Sequence, residues 1–406
     1  MDIYSRLPEE GELRRQAEDE KINIQKVNGH FHTPYSYSAF SSIEQACEMA
    51  EKENVQVLGI NDFYTMTGYD EFADLCIKYR KFPLFNIEFM GLLKNEQSEG
   101  LRVNDPGNPG RTYFSGKGLD YPISLKGPWL EKLEAVRQES DNQMIEMVQK
   151  ASDHLEVIDP ALKLNYDDIL KNFTRGMVRE RHIAMVIRRK ISENYVDDAS
   201  ARELYNKIYN GSGVMADLSD PVAVEEELRA KLLKVGGVAY VMEDLKAYLE
   251  IPDVSRIILD AGGIPCYPVL LDDKHGNYTE FEEDKVRLFE KLSALNIYSV
   301  ELIPGRNKIK AIRSFVEFFD RKGFVITFGT EHNTPVLDPL TVRASDSDLD
   351  DYLNEVNFKG AAVIAAHQYL RSQNQSGFVD EHGLVVGDRA EFVKLGNFII
   401  NNFINQ

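Results

Sequence analysis

Short apolar runs alternate with amphipathic stretches along most of this 406-residue chain. Runs of strand length lie at 22–27, 55–60 and 82–89, and residues 42–53 carry apolar side chains at helical spacing. Ser42 followed by Gln45 is a typical N-terminal cap for that helix. Strands that alternate with helices in this way form β-α units. The pattern therefore predicts an α/β fold built on a parallel sheet.

One long interruption divides this pattern. The alternation is lost in the Gly- and Pro-rich stretch 103–122, and from about Trp129 to about Leu249 the apolar spacing is helical throughout. Strand signals then return at 262–271, 297–303 and 323–329. We therefore predict a polar leader at 1–22, the first part of a barrel at 23–120, an inserted helical domain at 121–253, and the second part of the barrel with C-terminal helices at 254–406.

Composition narrows the class of protein. The 66 acidic and 47 basic residues give a net charge of −19, which argues against binding nucleic acid or an anionic membrane through overall charge. The three cysteines form no Cys-x-x-Cys pair, so neither a disulfide framework nor a thiolate zinc site is expected. The amino terminus is too charged for a signal peptide. We expect a cytoplasmic protein with no nucleic-acid and no membrane partner, and leave a homo-oligomer open.

Candidate metal ligands lie at the ends of the first three predicted strands. His30 and His32 are two residues apart, so both side chains point to one side of an extended chain. Asp62 follows the second strand and Glu88 ends the third. Because the carboxyl ends of parallel barrel strands meet at one mouth, these four side chains are expected to converge. Imidazole and carboxylate together suit zinc, manganese or iron.

Two further candidates follow a later strand. Glu331 and His332 stand in FGTEHNTP, and we expect them at the same mouth. Asp62 or Glu331 could accept a proton from a metal-bound water, and His332 is the candidate acid for the leaving group because its unperturbed pKa is about 6.5. For His30, His32, Asp62 or Glu88 taken alone, a solvated polar side chain at a strand end is the simpler interpretation, and an ordinary loop histidine is the alternative for His332.

At these residues the chain resembles a known family. The segment NGHFHTPYSYSAFSSIEQACEMAEKENVQVLGINDFYTMTGYDEF is similar to the opening of PHP (polymerase and histidinol phosphatase) domains, which carry His-x-His after strand one and Thr-Asp-His after strand two. DVSRIILDAGGIPCYP, NIYSVELI and GFVITFGTEHN resemble later motifs of that family, and TRGMVRERHIAMVI resembles part of a helical insertion found in some PHP phosphoesterases. The resemblance covers roughly 23–115 and 254–340. It implies a distorted, TIM-barrel-like (β/α)7 barrel interrupted by an inserted helical domain.

The resemblance also implies a ligand set. It places His30, His32, Asp62 and Glu88 as metal ligands and Glu331 where the family has aspartate. Several family histidines are replaced in this chain, by Phe63, by Tyr267, by Asn333 with His332 displaced by one, and by Leu92 or Leu93 after the third-strand glutamate. We therefore expect one divalent ion, or two, rather than a three-metal centre.

Positive charge for a phosphate has two candidate sources. Residues 171–190 of the insertion hold seven bases and one acid, although charge runs on helices usually face water. Arg306 follows a strand at the predicted mouth and could hold a phosphate bidentately. His182 could join it, although a histidine beside Ile183, Met185 and Val186 is more often a packing residue between helices. Tyr267 could donate a hydrogen bond to substrate, although packing in the barrel is at least as good an interpretation.

These observations lead to one function and two alternatives. The leading prediction is a PHP-type, metal-dependent hydrolase that acts on a small phosphorylated metabolite through a metal-activated water, with the insertion as a lid. The first alternative is a metal-dependent isomerase or lyase of an unphosphorylated sugar acid on the same barrel. The second is a binding module that has lost catalysis.

Overall fold

The computed structural model describes residues 3–4, 7–8, 11, 15, 21–273 and 275–405. The predicted polar leader at 1–22 therefore lies largely outside the described residues. Within the described part of the chain, no helix is both long and apolar enough to span a membrane.

The strands form one curved sheet that nearly closes into a barrel. Its order is β1-β2-β3-β4-β6-β7-β8, with β5 paired to β3. All neighbouring pairs are parallel except those made by β4, which is antiparallel to both β3 and β6. The strands are β1 Lys26–Phe31, β2 Val55–Phe63, β3 Phe82–Leu92, β4 Arg111–Lys117, β5 Leu249–Glu250, β6 Ile264–Val269, β7 Ser299–Leu302 and β8 Val325–Phe328.

The seam between β1 and β8 is closed by backbone hydrogen bonds just beyond the ends of the two strands and by the side chain of Asn357. The amide of His32 donates to the carbonyl of Glu331 (2.7 Å), and the amide of Glu331 donates to the carbonyl of His30 (3.0 Å). Deeper in the seam, Asn357 accepts from the amide of Phe328 and donates to the carbonyl of Val27. The seven main strands therefore enclose an interior into which strand-end side chains can point.

Helices cover the outer face of this sheet. The helix predicted at 42–53 is present, and Ser42 caps it by accepting from the amide of Gln45 at 3.1 Å. The covering helices are α1 Ile43–Glu53, α2 Tyr69–Tyr79, α3 Lys94–Ser98, α9 Ile251–Asp260, α10 Lys285–Ala294, α11 Ile309–Arg321, α12 Asp351–Ser372 and α13 Arg389–Ile404. Because the sheet is covered, β2 and β3 are buried along almost their whole length.

The segment between β4 and β5 is helical, as the apolar spacing predicts. It contains α4 Gly127–Ile158, α5 Tyr166–Phe173, α6 Glu180–Asn194, α7 Asp198–Ile208 and α8 Pro221–Leu228. Most of its buried apolar residues from Met144 to Val241 form a hydrophobic cluster separate from that of the barrel, although Met177 belongs to the barrel cluster. Helix α4 joins the two, because Leu133 and Val136 near its start belong to the barrel cluster. The boundaries 121–253 for an inserted domain stay a prediction.

Two elements differ from the sequence-based expectation. The first strand begins at Lys26 and continues through Phe31, so His30 lies within the strand rather than after it. The Gly- and Pro-rich stretch, in which no strand was expected, contains β4. Its side chains alternate between helix-covered and interior faces, and the interior ones include polar Ser115 and Lys117, so β4 has no apolar run to reveal it.

Candidate metal centre

Three side chains meet in the barrel interior at the end of β1. The Nε2 atoms of His30 and His32 are 3.4 Å apart, and Oε2 of Glu88 lies 3.0 Å from Nε2 of His32 and 3.9 Å from Nε2 of His30. Each of these side chains is at most 2% exposed. Among the residues that the structure describes, this is the one group of three such ligands.

Strand alternation explains which neighbours join this group. His30 and His32 point inward, whereas Phe31 between them points outward and packs on Phe40. Phe63 is the register partner of Glu88 on β2, and it also faces the interior. Asp62 is one residue earlier and points the other way.

Hydrogen bonds fix the proton on each imidazole. Nδ1 of His30 lies 2.8 Å from Oε2 of Glu301, and Nδ1 of His32 lies 3.1 Å from Oγ of Ser36. The hydroxyl of Ser36 donates to Asp62 (2.6 Å), so its oxygen accepts from Nδ1–H of His32. Both rings are thereby assigned the tautomer with the proton on Nδ1, so that each Nε2 carries a lone pair.

This arrangement fits a divalent cation. Two imidazole nitrogens and one carboxylate oxygen are a common donor set for zinc, iron or manganese. Ligand atoms around one tetrahedral ion are roughly 3.3 Å apart for bonds of about 2.0 Å, close to the separations of 3.0–3.9 Å found here. Oε2 of Glu88 has no hydrogen-bond partner in the structure. Three protein ligands also leave a coordination position open, as catalytic sites require.

Burial sets the protonation of the ligands when no cation is bound. It raises the pKa of Glu88 to about 8 and lowers the pKa of His32. Near neutral pH the carboxyl therefore keeps its proton while His32 stays neutral. A cation that binds these atoms must displace the proton of Glu88.

The structure does not bring Asp62 to the three ligands. One of its oxygens accepts from the amide of Thr33 and the hydroxyl of Ser36, and the other accepts from the hydroxyl of Thr33. Asp62, predicted from sequence as a ligand and as a base, instead holds the Ser36 hydroxyl that orients His32. The reason is strand alternation, which directs Asp62 away from the interior.

His332 and Glu331 lie at the seam beside the ligands. Nδ1 of His332 contacts the hydroxyl of Thr330 and Nε2 contacts the carbonyl of Asp338, both at 2.7 Å, so neither nitrogen is directed at the three ligands. Glu331 and His332 both have left-handed backbone, with φ of +64° and +52°. This turn leaves the Glu331 carboxylate in an ion pair with Arg306.

The predicted substrate-binding residues are dispersed. Arg306 is half exposed at the mouth in its pair with Glu331. Tyr267 is buried on the outer face of β6, where its hydroxyl donates to Glu282 at 2.7 Å. His182 accepts the Arg179 amide at the start of α6, and burial lowers its pKa to about 3, so it carries no positive charge near neutral pH.

Sequence reasoning missed four interior residues. Ser115 and Lys117 lie on β4, Asn61 lies on β2, and Glu301 lies on β7. The amide nitrogen of Asn61 lies 3.1 Å from Nε2 of His30, the ring nitrogen without a proton, and 3.1 Å from Oγ of Ser115. The sequence does indicate one of the four, Glu301. It is an acidic residue inside the apolar run SVEL, and a buried carboxylate needs a polar or charged partner.

The ligands are covered on the side that faces the insertion. The ring of Phe63 stacks on His32 with centroids 4.9 Å apart, and the guanidinium of Arg179 lies 4.7 Å above the Phe63 ring. A cavity of about 200 Å³ adjoins this stack, and Tyr113 and Asn333 also line it. The cavity therefore adjoins two side chains that contact His32, Phe63 and Ser36.

The cations around this cavity differ in how they are paired. Arg111, Arg181, Arg229 and Lys234 each form an ion pair with a carboxylate. Arg179 stacks on Phe63 instead. Within the described ranges, no carboxylate lies within 4.0 Å of its guanidinium. Arg179 is thus the lining cation with donors free for an anion.

Comparisons with known proteins identify the fold. No protein-family model matches the chain, and no curated protein does. A protein of Bifidobacterium adolescentis, described as a candidate metal-dependent phosphoesterase, matches with a TM-score of 0.53 and 16% identity over 83% of this chain and 96% of that one. An amidohydrolase of Chromobacterium violaceum, solved with bound sulfate and no metal, matches with a TM-score of 0.52 and 16% identity over 82% and 95%. The chain shares the fold of these two proteins.

Proposed function

We propose that the protein is a metal-dependent hydrolase that cleaves the phosphoester of a small phosphorylated metabolite. The observation that carries this proposal is the convergence of two oriented imidazole lone pairs and the Glu88 oxygen on one point in the barrel. A divalent ion there would polarise a phosphoryl oxygen and bring the pKa of a water to about 7. Zinc, manganese and iron all suit these donors.

The residues around the ligands have separate tasks in this proposal. Glu301 and the Ser36–Asp62 pair hold His30 and His32 in the tautomer that can bind a cation. Glu331, which stands beside the ligands with its Oε2 paired to Arg306, is the proposed proton acceptor, because Asp62 accepts hydrogen bonds at both of its oxygens. His332 is not assigned as the acid, since both of its nitrogens are occupied.

Arg179 is the proposed phosphate-binding residue. It stands above Phe63 at the cavity beside the ligands, and its guanidinium donors are not committed to a carboxylate of the described chain. A guanidinium binds a phosphate through two parallel hydrogen bonds. The cavity volume of about 200 Å³ favours a small substrate. Arg306, the cation chosen from sequence, is already paired with Glu331.

The two proteins of similar fold are consistent with this assignment. One is described as a candidate metal-dependent phosphoesterase, and the other is an amidohydrolase with bound sulfate. Sulfate resembles phosphate in shape and charge. Hydrolysis is the class of reaction that these two descriptions share.

A substrate panel with one arginine variant tests the proposal. The wild-type protein loaded with Zn²⁺ or Mn²⁺ is expected to hydrolyse at least one small phosphate monoester, and Arg179→Gln is expected to lower kcat/KM by about 100-fold because a charge-assisted phosphate contact is lost. Metal content should not change in this variant. Arg287→Gln, which alters an exposed arginine on α10, is the matched control and should keep full activity.

The other outcomes separate the alternatives. Turnover of unphosphorylated sugar acids, with none on phosphoesters, would favour the metal-dependent isomerase or lyase. Hydrolysis of amides but not of phosphoesters would support a metal-dependent hydrolase and exclude a phosphoester as its substrate. A metal-loaded protein without any turnover would favour the binding module.

A further inference from the structure

A lysine side chain is completely buried in the barrel interior. Lys117 ends β4, is 0% exposed, and forms an ion pair through Nζ with Oε2 of Glu301. An isolated ammonium in such a place would cost several kcal/mol in lost hydration. A lysine there therefore needs a carboxylate partner, and Glu301 is that partner.

Glu301 is fully engaged by its neighbours. Oε2 accepts from Nδ1–H of His30 (2.8 Å) as well as from Lys117, and Oε1 accepts from the hydroxyl of Ser115. The carboxylate of Glu301 is thus already balanced by a cation of the protein itself, the ammonium of Lys117.

We propose that the ammonium of Lys117 takes the place of a second metal ion, so that the centre binds a single divalent cation. This inference rests on the proposed function, since it concerns the same ligands. Two-metal sites hold their ions about 3.5–4 Å apart and need carboxylates for both. The interior carboxylate next to His30 is committed to Lys117, so a second ion would have to break that pair and approach a fixed positive charge.

Charge balance points the same way. The carboxylates in contact with the two histidines are Glu88 and Glu301, and Lys117 already pairs with Glu301. A second ion would add two positive charges beside the fixed ammonium of Lys117, which is unfavourable in a buried site of low dielectric. Lys117 therefore acts as a positioning residue, which keeps Glu301 on His30 and limits the centre to one ion.

Metal stoichiometry tests the proposal directly. The protein is stripped with chelator, dialysed against excess Zn²⁺, and its bound zinc is measured by elemental analysis beside thermal unfolding. We expect about one equivalent for the wild type and about two for Lys117→Met and Lys117→Gln, because both variants remove the positive charge that neutralises Glu301 and opposes a second ion. Lys117→Gln retains a hydrogen-bond donor toward Glu301, so it serves as a second variant if Lys117→Met does not fold.

A second buried lysine provides the control. Lys81, just before β3, is 4% exposed, and its Nζ donates to Gln56 at 3.1 Å. Lys81→Met should therefore stay at one equivalent. Two equivalents in the wild type would overturn the proposal without any variant, and one equivalent in folded Lys117 variants would overturn the role of the lysine. If the wild type bound no zinc, the metal centre and the proposed function would both be wrong. That outcome is distinct from a failure of the Lys117 proposal alone.

Discussion

The Nδ1 atom of His30 lies 2.8 Å from Oε2 of Glu301, and both side chains are buried in the barrel interior. Because Glu301 is ionised, it fixes the imidazole proton on Nδ1 and leaves the Nε2 lone pair directed at His32 and Glu88. This contact makes His30 a ligand of defined tautomer before any cation arrives.

Loss of the Glu301 charge should weaken metal binding. Glu301→Gln is expected to lower zinc affinity by about 10–100-fold, because the partner that orients His30 is weakened. It should also destabilise the fold by about 3–5 kcal/mol, since Lys117 loses its partner. Glu282→Gln alters another buried carboxylate, the one bonded to Tyr267, and should leave affinity unchanged. Competition with a metal-sensitive dye measures the zinc affinity of both variants. Equal zinc affinities in Glu301→Gln and Glu282→Gln would contradict this role of Glu301.

Metal binding should release a proton. Burial raises the pKa of Glu88 to about 8, so its carboxyl is protonated near neutral pH and must ionise when a cation binds. Apparent affinity is therefore expected to rise as pH increases toward about 8, by at most about tenfold per pH unit. Calorimetry in buffers of different ionisation enthalpy should find about one proton released per ion near pH 7. An affinity independent of pH in this range would be inconsistent with a protonated Glu88.

His367 should make the fold sensitive to acid. Burial lowers its pKa to about 4, although the hydrogen bond that Nε2 donates to the carbonyl of Gly262 by itself raises the pKa; Nδ1 accepts from the amide of Phe378. A histidine in the unfolded chain titrates at about 6.5. The contribution of His367 to the free energy of unfolding is therefore complete above that pH and is lost as pH falls toward 4. The expected loss from this one group is about 2 kcal/mol between about pH 7 and about pH 5.

Urea unfolding at these two pH values measures that loss. His367→Gln should reduce the difference between them, whereas His382→Gln, which alters an exposed histidine, should not. Part of the dependence should remain in His367→Gln, because His182 is also buried with its pKa lowered to about 3. An unchanged pH dependence in His367→Gln would show that His367 titrates normally in the folded protein.

Phe63 occupies a position from which a side chain can reach the ligands. It is the register partner of Glu88, and its ring stacks on His32 at 4.9 Å. Phe63→His should therefore add a fourth ligand and tighten zinc binding by about tenfold or more. Phe40→His, which alters the ring that stacks on His332, should not tighten it. Weaker binding in Phe63→His than in Phe40→His would contradict this placement of Phe63.

Much of the site was predictable because strand alternation acts locally. The His-x-His spacing alone places His30 and His32 on one side of a strand, and Glu88 ends a long buried run. Ser42 likewise predicts the start of α1. These features depend on neighbours within a few residues, which a single sequence displays directly.

Other parts depend on relations that sequence spacing does not show. Asp62 was expected to point inward because it follows a strand, but β2 continues to Phe63 and the alternation directs Asp62 away. Two successive left-handed residues, Glu331 and His332, turn the latter from the ligands. Lys117 lies on a strand without an apolar run, so its place beside Glu301 follows only from the sheet order. In each case the direction of the side chain depends on contacts between residues distant in sequence, which the local sequence pattern does not specify.

The central claim is that His30, His32 and Glu88 form a working metal centre. Elemental analysis of the protein purified without chelator or affinity tag, and reconstituted with zinc, manganese or iron, tests it most directly beside His32→Asn and the exposed control His382→Asn. The account predicts about one equivalent of metal in the wild type and the control, and almost none in His32→Asn. Metal near zero in the wild type after reconstitution with each of the three ions would contradict it.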